Sequence, residues 1–446
     1  MTQMKPRLRC LSSSALAALT LMAVSASASG QGSTDEADLW RADADAFFAV
    51  LQSEHDNPFF HTPEADYRAA LEAYKAGIGE MSRAERIAGL ARLAALVGDG
   101  HTWMPMHALP FDGLPPGPGF ASLPVRFEWF NDGLYIVGAT DEHADLVGAR
   151  VETIGGTPTP VAVSRMLELL PTDAINFATE FVAEWLMQVD LLVALDLATD
   201  AGGVELGLFG DGVPRHLNLA PLAPDYRYDW VFSMDGGPVG STGAANWHRA
   251  ATATPLWQET VAGSWRTVEL EGAVYLQIIN IRDGEDQSYA QMAAAAVSRA
   301  ERLDHPGLII DLRRCLGGDG TLNPGLVDAL AGSEAINQPD RLIVLTSRQT
   351  HSAAIMLVSA LEQNTAARFI GQATSDRPNH HGETNIFVTP NSALPIIHAS
   401  EYYQTSTPDD DRRFRTPDIA IPYIFSDYAA GADPVLAAAL SAIEGS

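Results

Sequence analysis

The chain has 446 residues, 46% of them hydrophobic and 19% charged, with a mean hydropathy near zero. That length exceeds one hydrophobic core and implies two or three domains, and that composition excludes a disordered or fibrous chain. A formal charge of −28 repels nucleic acid and anionic membrane surfaces, which argues against both as partners.

Residues 1–28 read as a secretory leader. Lys5, Arg7 and Arg9 form a positive n-region, Ala15 to Val24 an apolar stretch, and Ala26-Ser27-Ala28 a small-residue cleavage site. The apolar stretch is too short to span a bilayer as a mature helix. Export to the periplasm or the exterior is therefore expected, with no membrane insertion after cleavage. Cleavage removes three cations and no acid, which takes the charge to −31. Cys10 precedes the apolar stretch, badly placed for a lipid anchor, and leaves with the leader. Cys315 then stands alone, so no internal disulfide is expected.

Residues 36–109 read as a helical domain. Ala37 to Leu51 and Arg83 to Val97 both carry apolar residues at helical spacing, and Ser82 with Glu85 forms a capping box for the second. A Pro/Gly-rich link from Pro110 to Gly119 marks a boundary. Across 120–222 the period shortens. Val125 to Phe130 and Gly133 to Gly138 form a hairpin turned at Asn131-Asp132-Gly133. A strand ending near Gly156, a helix from Val161 to Leu170, a helix from Asn176 to Leu197 and a hairpin over Val204 to Leu219 follow. This order of strand, glycine turn and helix resembles a PDZ-like module.

From residue 238 to 446 strands alternate with helices. Strands are expected at Val274 to Ile281, Leu308 to Leu312 and up to Thr346, with helices at Ser288 to Leu303, Asn323 to Leu330 and Ser352 to Leu361. Such alternation implies an α/β domain around a mostly parallel sheet.

Three segments of this chain bear chemistry. Ser352 begins a helix just after an apolar strand, where unpaired helix N–H groups face any oxyanion that forms; an ordinary helix cap is the competing role. The strand Leu308 to Leu312 contains Asp311, which Arg313 follows, and the double glycine Gly317-Gly318 lets backbone N–H groups point into a cleft without a Cβ in the way. His101 sits in Asp99-Gly100-His101-Thr102, just after a helix. A serine nucleophile needs a base, ordinarily His or a desolvated Lys. Lys5 leaves with the leader and Lys75 is the one lysine left, in an amphipathic N-terminal helix. The base is therefore expected among the twelve histidines.

Together these segments resemble the S41 family of serine peptidases, which includes the carboxy-terminal processing proteases and the tricorn core protease. The matching pieces are Asp99 to Thr102, Ile310 to Arg313 with Gly317-Gly318, and Thr350 to Ala354. Gly371-Gln372-Ala373-Thr374, Arg412 and Pro417-Asp418-Ile419 complete the pattern. The resemblance spans about residues 38–440. It implies a ClpP/crotonase-like ββα catalytic core, Ser352 as nucleophile, and the N–H groups of Gly317 and Ala353 as oxyanion hole. In the processing-protease branch the base lysine falls at Arg377 of this chain, which cannot deprotonate at useful pH. The tricorn branch instead implies His101 as base, with an acid before Pro417: Asp410 first, Glu383 second. Cys315 stands where the family has Asn, His351 where it often has Phe, and Gly100 where the tricorn branch has Ser.

The function implied is an exported serine endopeptidase that takes a polypeptide or peptide substrate through an acyl-enzyme. A catalytically inactive ligand- or peptide-binding protein on the same fold is the alternative, and a crotonase-type hydratase ranks third. No phosphate loop or nucleotide fingerprint is present, and neither His380-His381 nor His101 with His107 has a recognisable ligand spacing, so no cofactor and no metal are expected. A Gly-x-Ser-x-Gly elbow is also missing, which disfavours an α/β-hydrolase.

Overall fold

The computed structural model describes residues 35–106, 117–199, 202–210, 212–222 and 247–445. The expected leader and His107 lie outside these residues, as does most of the Pro110–Gly119 link.

Three helices open the described chain: α1 (Glu36–Glu54), α2 (Glu64–Gly77) and α3 (Arg83–Ala95). Asp35 caps α1 at the Ala37 N–H, and Ser82 and Glu85 close the capping box of α3 as its sequence predicts. Helices α2 and α3 cross closely at Gly89, where a Cβ would stand 2.3 Å from the Tyr74 ring. Beyond α3, Gly98 at φ 97° turns the chain inward and delivers Asp99 to Thr102 to the interior.

An antiparallel sheet follows, in the order β1 (Val125–Phe130), β2 (Gly133–Thr140), β3 (Arg150–Ile154), β4 (Val204–Gly210), β5 (Val213–Leu219), with two short strands at its side. The first hairpin has the expected turn, with Phe130 opposite Gly133. Helices α4 (Thr159–Leu167), α5 (Ile175–Trp185) and α6 (Val189–Ala194) accompany it. The last two replace the single helix expected over 176–197. The break has a clear cause: the Met187 carbonyl turns outward to accept the Leu123 N–H at 2.8 Å, and Gln188 pairs with Ser122. Helices α1–α3 and this sheet share one continuous core running from Ala37 to Leu219 and joined by Leu394, Ile396 and Ile397.

The second large sheet is formed by β6 (Trp265–Leu270), β7 (Ala273–Ile278), β8 (Leu308–Asp311), β9 (Leu342–Thr346), β10 (Arg368–Gly371) and β11 (Ile419–Ala420), in the spatial order β11-β10-β9-β8-β7-β6. Pairing is parallel from β7 to β11, while β6 forms a hairpin with β7. Every residue of β7, β8 and β9 is buried, the signature of a sheet covered on both faces. One face carries α7 (Tyr289–Glu301), α8 (Asn323–Ala331) and α9 (Ala353–Asn364); the other carries α10 (Pro434–Glu444). The architecture is mixed α/β, with the parallel sheet that the alternation predicts. No helix among the described residues is long and apolar enough to cross a membrane.

Candidate active site

Ser352 is the residue just before α9. Its backbone lies at φ 55° and ψ −125°, a conformation that L-residues rarely adopt, and its side chain makes no capping hydrogen bond. The ordinary role of a serine at a helix start is thus unfilled. Two loops enforce the position. The His351 N–H donates to the Cys315 carbonyl at 3.0 Å, the Ser347 hydroxyl to the Arg313 carbonyl at 2.6 Å, and the Thr350 hydroxyl to the Leu312 carbonyl at 3.0 Å. The Ser352 loop is thereby fastened to the loop after β8.

That second loop brings Gly317 against Ser352. At φ 115°, a Cβ on Gly317 would lie 2.7 Å from the Ser352 Cβ and 3.0 Å from the Ala353 nitrogen. Neither the Gly317 nor the Ala353 N–H donates to another described residue, and Ala353 is the first residue of α9, where the helix leaves its N–H groups unpaired. Cys315 is buried beneath, its thiol pushed up to about 12 by burial, so it is inert as a nucleophile.

His101 enters from the loop after α3. Its N–H donates to Asp99 Oδ1 at 2.9 Å, while Asp99 Oδ2 bonds His55 Nε2 at 2.9 Å. Two residues on, Trp103 exchanges backbone hydrogen bonds with Ile397, and Thr102 Oγ1 accepts from the Ala399 N–H. The segment Ile397–Ala399 therefore holds this N-terminal loop in place. The imidazole is buried, and neither ring nitrogen has a hydrogen-bond partner of ordinary geometry among the described residues. Its pKa lies well below the usual histidine value, chiefly through burial and then through neighbouring His351 and His380. His101 and Ser352 both line a cavity of about 960 Å³, together with Gly317, Ala353 and His351, but no hydrogen bond joins them.

The other expected residues sit elsewhere. Asp410 forms a bidentate pair with Arg412 (2.9 and 2.7 Å), which holds its carboxyl far below the usual carboxylate range. The expected acid thus has no bond to His101, because the adjacent guanidinium claims it. Glu383 lines the cavity but accepts from the Tyr403 hydroxyl at 2.8 Å. Lys75 is bound to Asp45 and Glu72 at the surface. Arg377 pairs with Asp173. His380 Nδ1 faces the carbonyls of Arg377 and Pro378, both at 3.1 Å, and the His381 ring lies 5.1 Å from that of His55.

No protein-family profile matches the chain, and no curated protein matches it in sequence. Among solved structures, mature CPAF complexed with lactacystin superposes with a TM-score of 0.60 at 12% identity, covering 92% of this chain and 99% of that one. Mature CPAF gives a TM-score of 0.57 at 13% identity over 92% and 98%. In fold, the chain is similar to CPAF.

Three features at the site had no signal in the sequence. Phe177, on α5, stacks on His351 at 4.0 Å between centroids and 4° between planes. Arg348, four residues before Ser352, is buried against Glu128 of β1 and Glu180 of α5 and donates to the Trp129 carbonyl at 2.7 Å. Burial pushes Glu128 up to about 7 in spite of that arginine. Asp376 is buried with Oδ2 unpartnered among the described residues, close against Gly100, where a Cβ would lie 2.4 Å from that oxygen. Desolvation, then Asp173, raises its carboxyl to about 8. All three depend on contacts between residues more than a hundred positions apart, which no local pattern encodes.

Proposed function

We propose that this chain is an exported serine endopeptidase. Ser352 Oγ attacks the scissile carbonyl carbon while its proton passes to His101. The tetrahedral oxyanion accepts from the Gly317 and Ala353 N–H groups, and collapse breaks the C–N bond as His101 returns the proton to the leaving amine. Water then hydrolyses the acyl-enzyme by the same exchange of protons. Residues 238–446 act as a ClpP/crotonase-like ββα catalytic core, 120–222 as a PDZ-like module that presents the polypeptide, and 36–109 as a helical domain that supplies His101.

The observation that supports this reading is the conformation of Ser352. A strained serine that caps nothing, beside two residues whose N–H groups are uncommitted, is costly unless its hydroxyl has work to do. The unmade bond between His101 and Ser352 favours a second reading, a binding protein on the same fold. On the peptidase reading that bond closes when substrate enters the cavity, as apo sites often require.

A fluorophosphonate probe separates the two, because phosphonylation at Ser352 needs an activated hydroxyl. Labelling in the wild type, lost in Ser352→Ala and His101→Ala but kept in Lys75→Ala, is the expected result. A wild type that stays unlabelled while the probe enters the cavity supports the binding protein instead.

A further inference from the structure

The geometry points to an aromatic clamp on His101: the ring faces of Phe177, His351 and His380 align the base, with His351 as the positioning residue, where a serine triad uses a carboxylate. This rests on His101 being the base of Ser352.

The four rings stand in a row. Phe177 and His351 are 4.0 Å apart and 4° from parallel, His351 and His101 are 4.4 Å and 21°, and His101 and His380 are 5.6 Å and 12°. All four are buried. Face-to-face packing on both sides blocks tilting of the His101 ring and leaves rotation within its plane free. Neither ring nitrogen has a hydrogen bond of ordinary geometry among the described residues, the His381 backbone being the polar group beside the ring, so in-plane rotation is the motion left for a nitrogen to turn toward Ser352 on this reading.

The flanking rings are themselves fixed. The Ser375 hydroxyl donates to the Thr350 carbonyl at 2.8 Å and so accepts from His351 Nδ1 at 2.9 Å, which places that ring's proton on Nδ1. His380 Nδ1 faces two carbonyl oxygens, which likewise require a proton there. Both rings are anchored to backbone through Nδ1, one through Ser375 and one directly. His351 adjoins Ser352 in the chain, so the same residue that sets the base also reports the position of the nucleophile.

Three carboxylates near His101 are committed elsewhere, Asp99 to His55 and to the His101 N–H, Asp410 to Arg412 and Glu383 to Tyr403, while Asp376 keeps Oδ2 without a partner among the described residues, against Gly100. The titratable groups facing His101 are His351, His380 and His381, with Asp99 under its backbone and Asp376 across Gly100. Burial, then the imidazole neighbours His351 and His380, disfavour the imidazolium and lower the pKa of His101, against the opposing pull of the His381 backbone.

The test follows fluorophosphonate labelling of Ser352 against probe concentration and pH, which yields a maximal rate, a half-saturating concentration and an acid limb. His351→Ala is expected to cut the maximal rate about ten-fold, the scale of a lost aromatic face, with half-saturation unchanged within about two-fold. His351→Phe keeps the face and removes the titratable neighbour. It is expected to restore most of the rate. If His351→Ala fails to fold, Phe177→Leu removes the outer face and is expected to lower the rate in the same way.

Equal damage in the Ala and Phe variants, or an Ala variant with wild-type rate and acid limb, overturns the clamp alone. An unlabelled wild type, or His101→Ala labelled at the wild-type rate, overturns the base assignment and the clamp with it.

Discussion

Gly317 and Ser352 touch so closely that no side chain fits between them: a methyl on Gly317 would lie 2.7 Å from the Ser352 Cβ. The contact brings the two candidate oxyanion donors, on Gly317 and Ala353, close to Ser352. It also makes the glycine doubly necessary, since its φ of 115° strains any L-residue. Gly317→Ala is therefore expected to displace one donor and reduce fluorophosphonate labelling about 10²–10³-fold, the scale of one lost oxyanion-hole donor. Far-ultraviolet circular dichroism should show the fold retained. Labelling within a few-fold of wild type would remove Gly317 from the oxyanion hole.

Ser352 pays for its position in backbone strain, which predicts a conflict between activity and stability. At φ 55° and ψ −125° glycine fits without strain. Ser352→Gly should abolish labelling while raising stability by about 1 kcal/mol, the low end of the strain released. The urea midpoint measures this directly. A destabilised Ser352→Gly would mean that the serine side chain makes a structural contribution larger than the strain.

Arg348 joins the Ser352 loop to β1 through Glu128 and to α5 through Glu180. Removing the guanidinium leaves two carboxyl groups buried without their partner, a loss of about 3–5 kcal/mol for a broken buried ion pair. Arg348→Ala should therefore lower the thermal midpoint clearly. Adding Glu128→Gln and Glu180→Gln should recover much of the loss, because those side chains no longer carry charge. Failure of the triple variant to recover would assign the effect to packing of the arginine stem.

The sequence made the parallel sheet legible because β7, β8 and β9 are largely apolar, with polar residues only at or near their C-terminal ends, and β8 and β9 end in distinctive loops at Asp311 and Thr346. Ser352 and Gly317 were legible for the same reason: each lies next to a strand that periodicity locates. The single helix expected over 176–197 failed at Met187 and Gln188, whose backbone pairs with residues 122–123. Long-range pairing overrode a continuous apolar pattern there. Asp410 failed for a local reason, since Arg412 two residues away captures its carboxylate. The ring stack was invisible, because Phe177, His351 and His380 come together only when α5, the Ser352 loop and the segment after β10 meet near His101.

Asp376 gives a pH-dependent prediction whose sign is fixed. Its carboxyl is raised to about 8 in the folded protein, first by desolvation and then by Asp173, against about 3.9 in an unfolded chain. A group raised in this way contributes its full stability below the unfolded value and loses it as pH climbs through the folded one. Between about pH 4 and pH 8 the native aspartate is thus increasingly unfavourable relative to a neutral isostere, by up to about 1.4 kcal/mol per pH unit. Asn keeps the acceptor for the Arg377 N–H, which Oδ1 takes at 2.7 Å, and carries no charge. Asp376→Asn is therefore expected to match the wild type in urea midpoint near pH 4 and to exceed it near pH 8. A gain of equal size at both pH values would point to packing, and a loss at pH 8 would mean that the ionised carboxylate has a partner in solution which balances its burial.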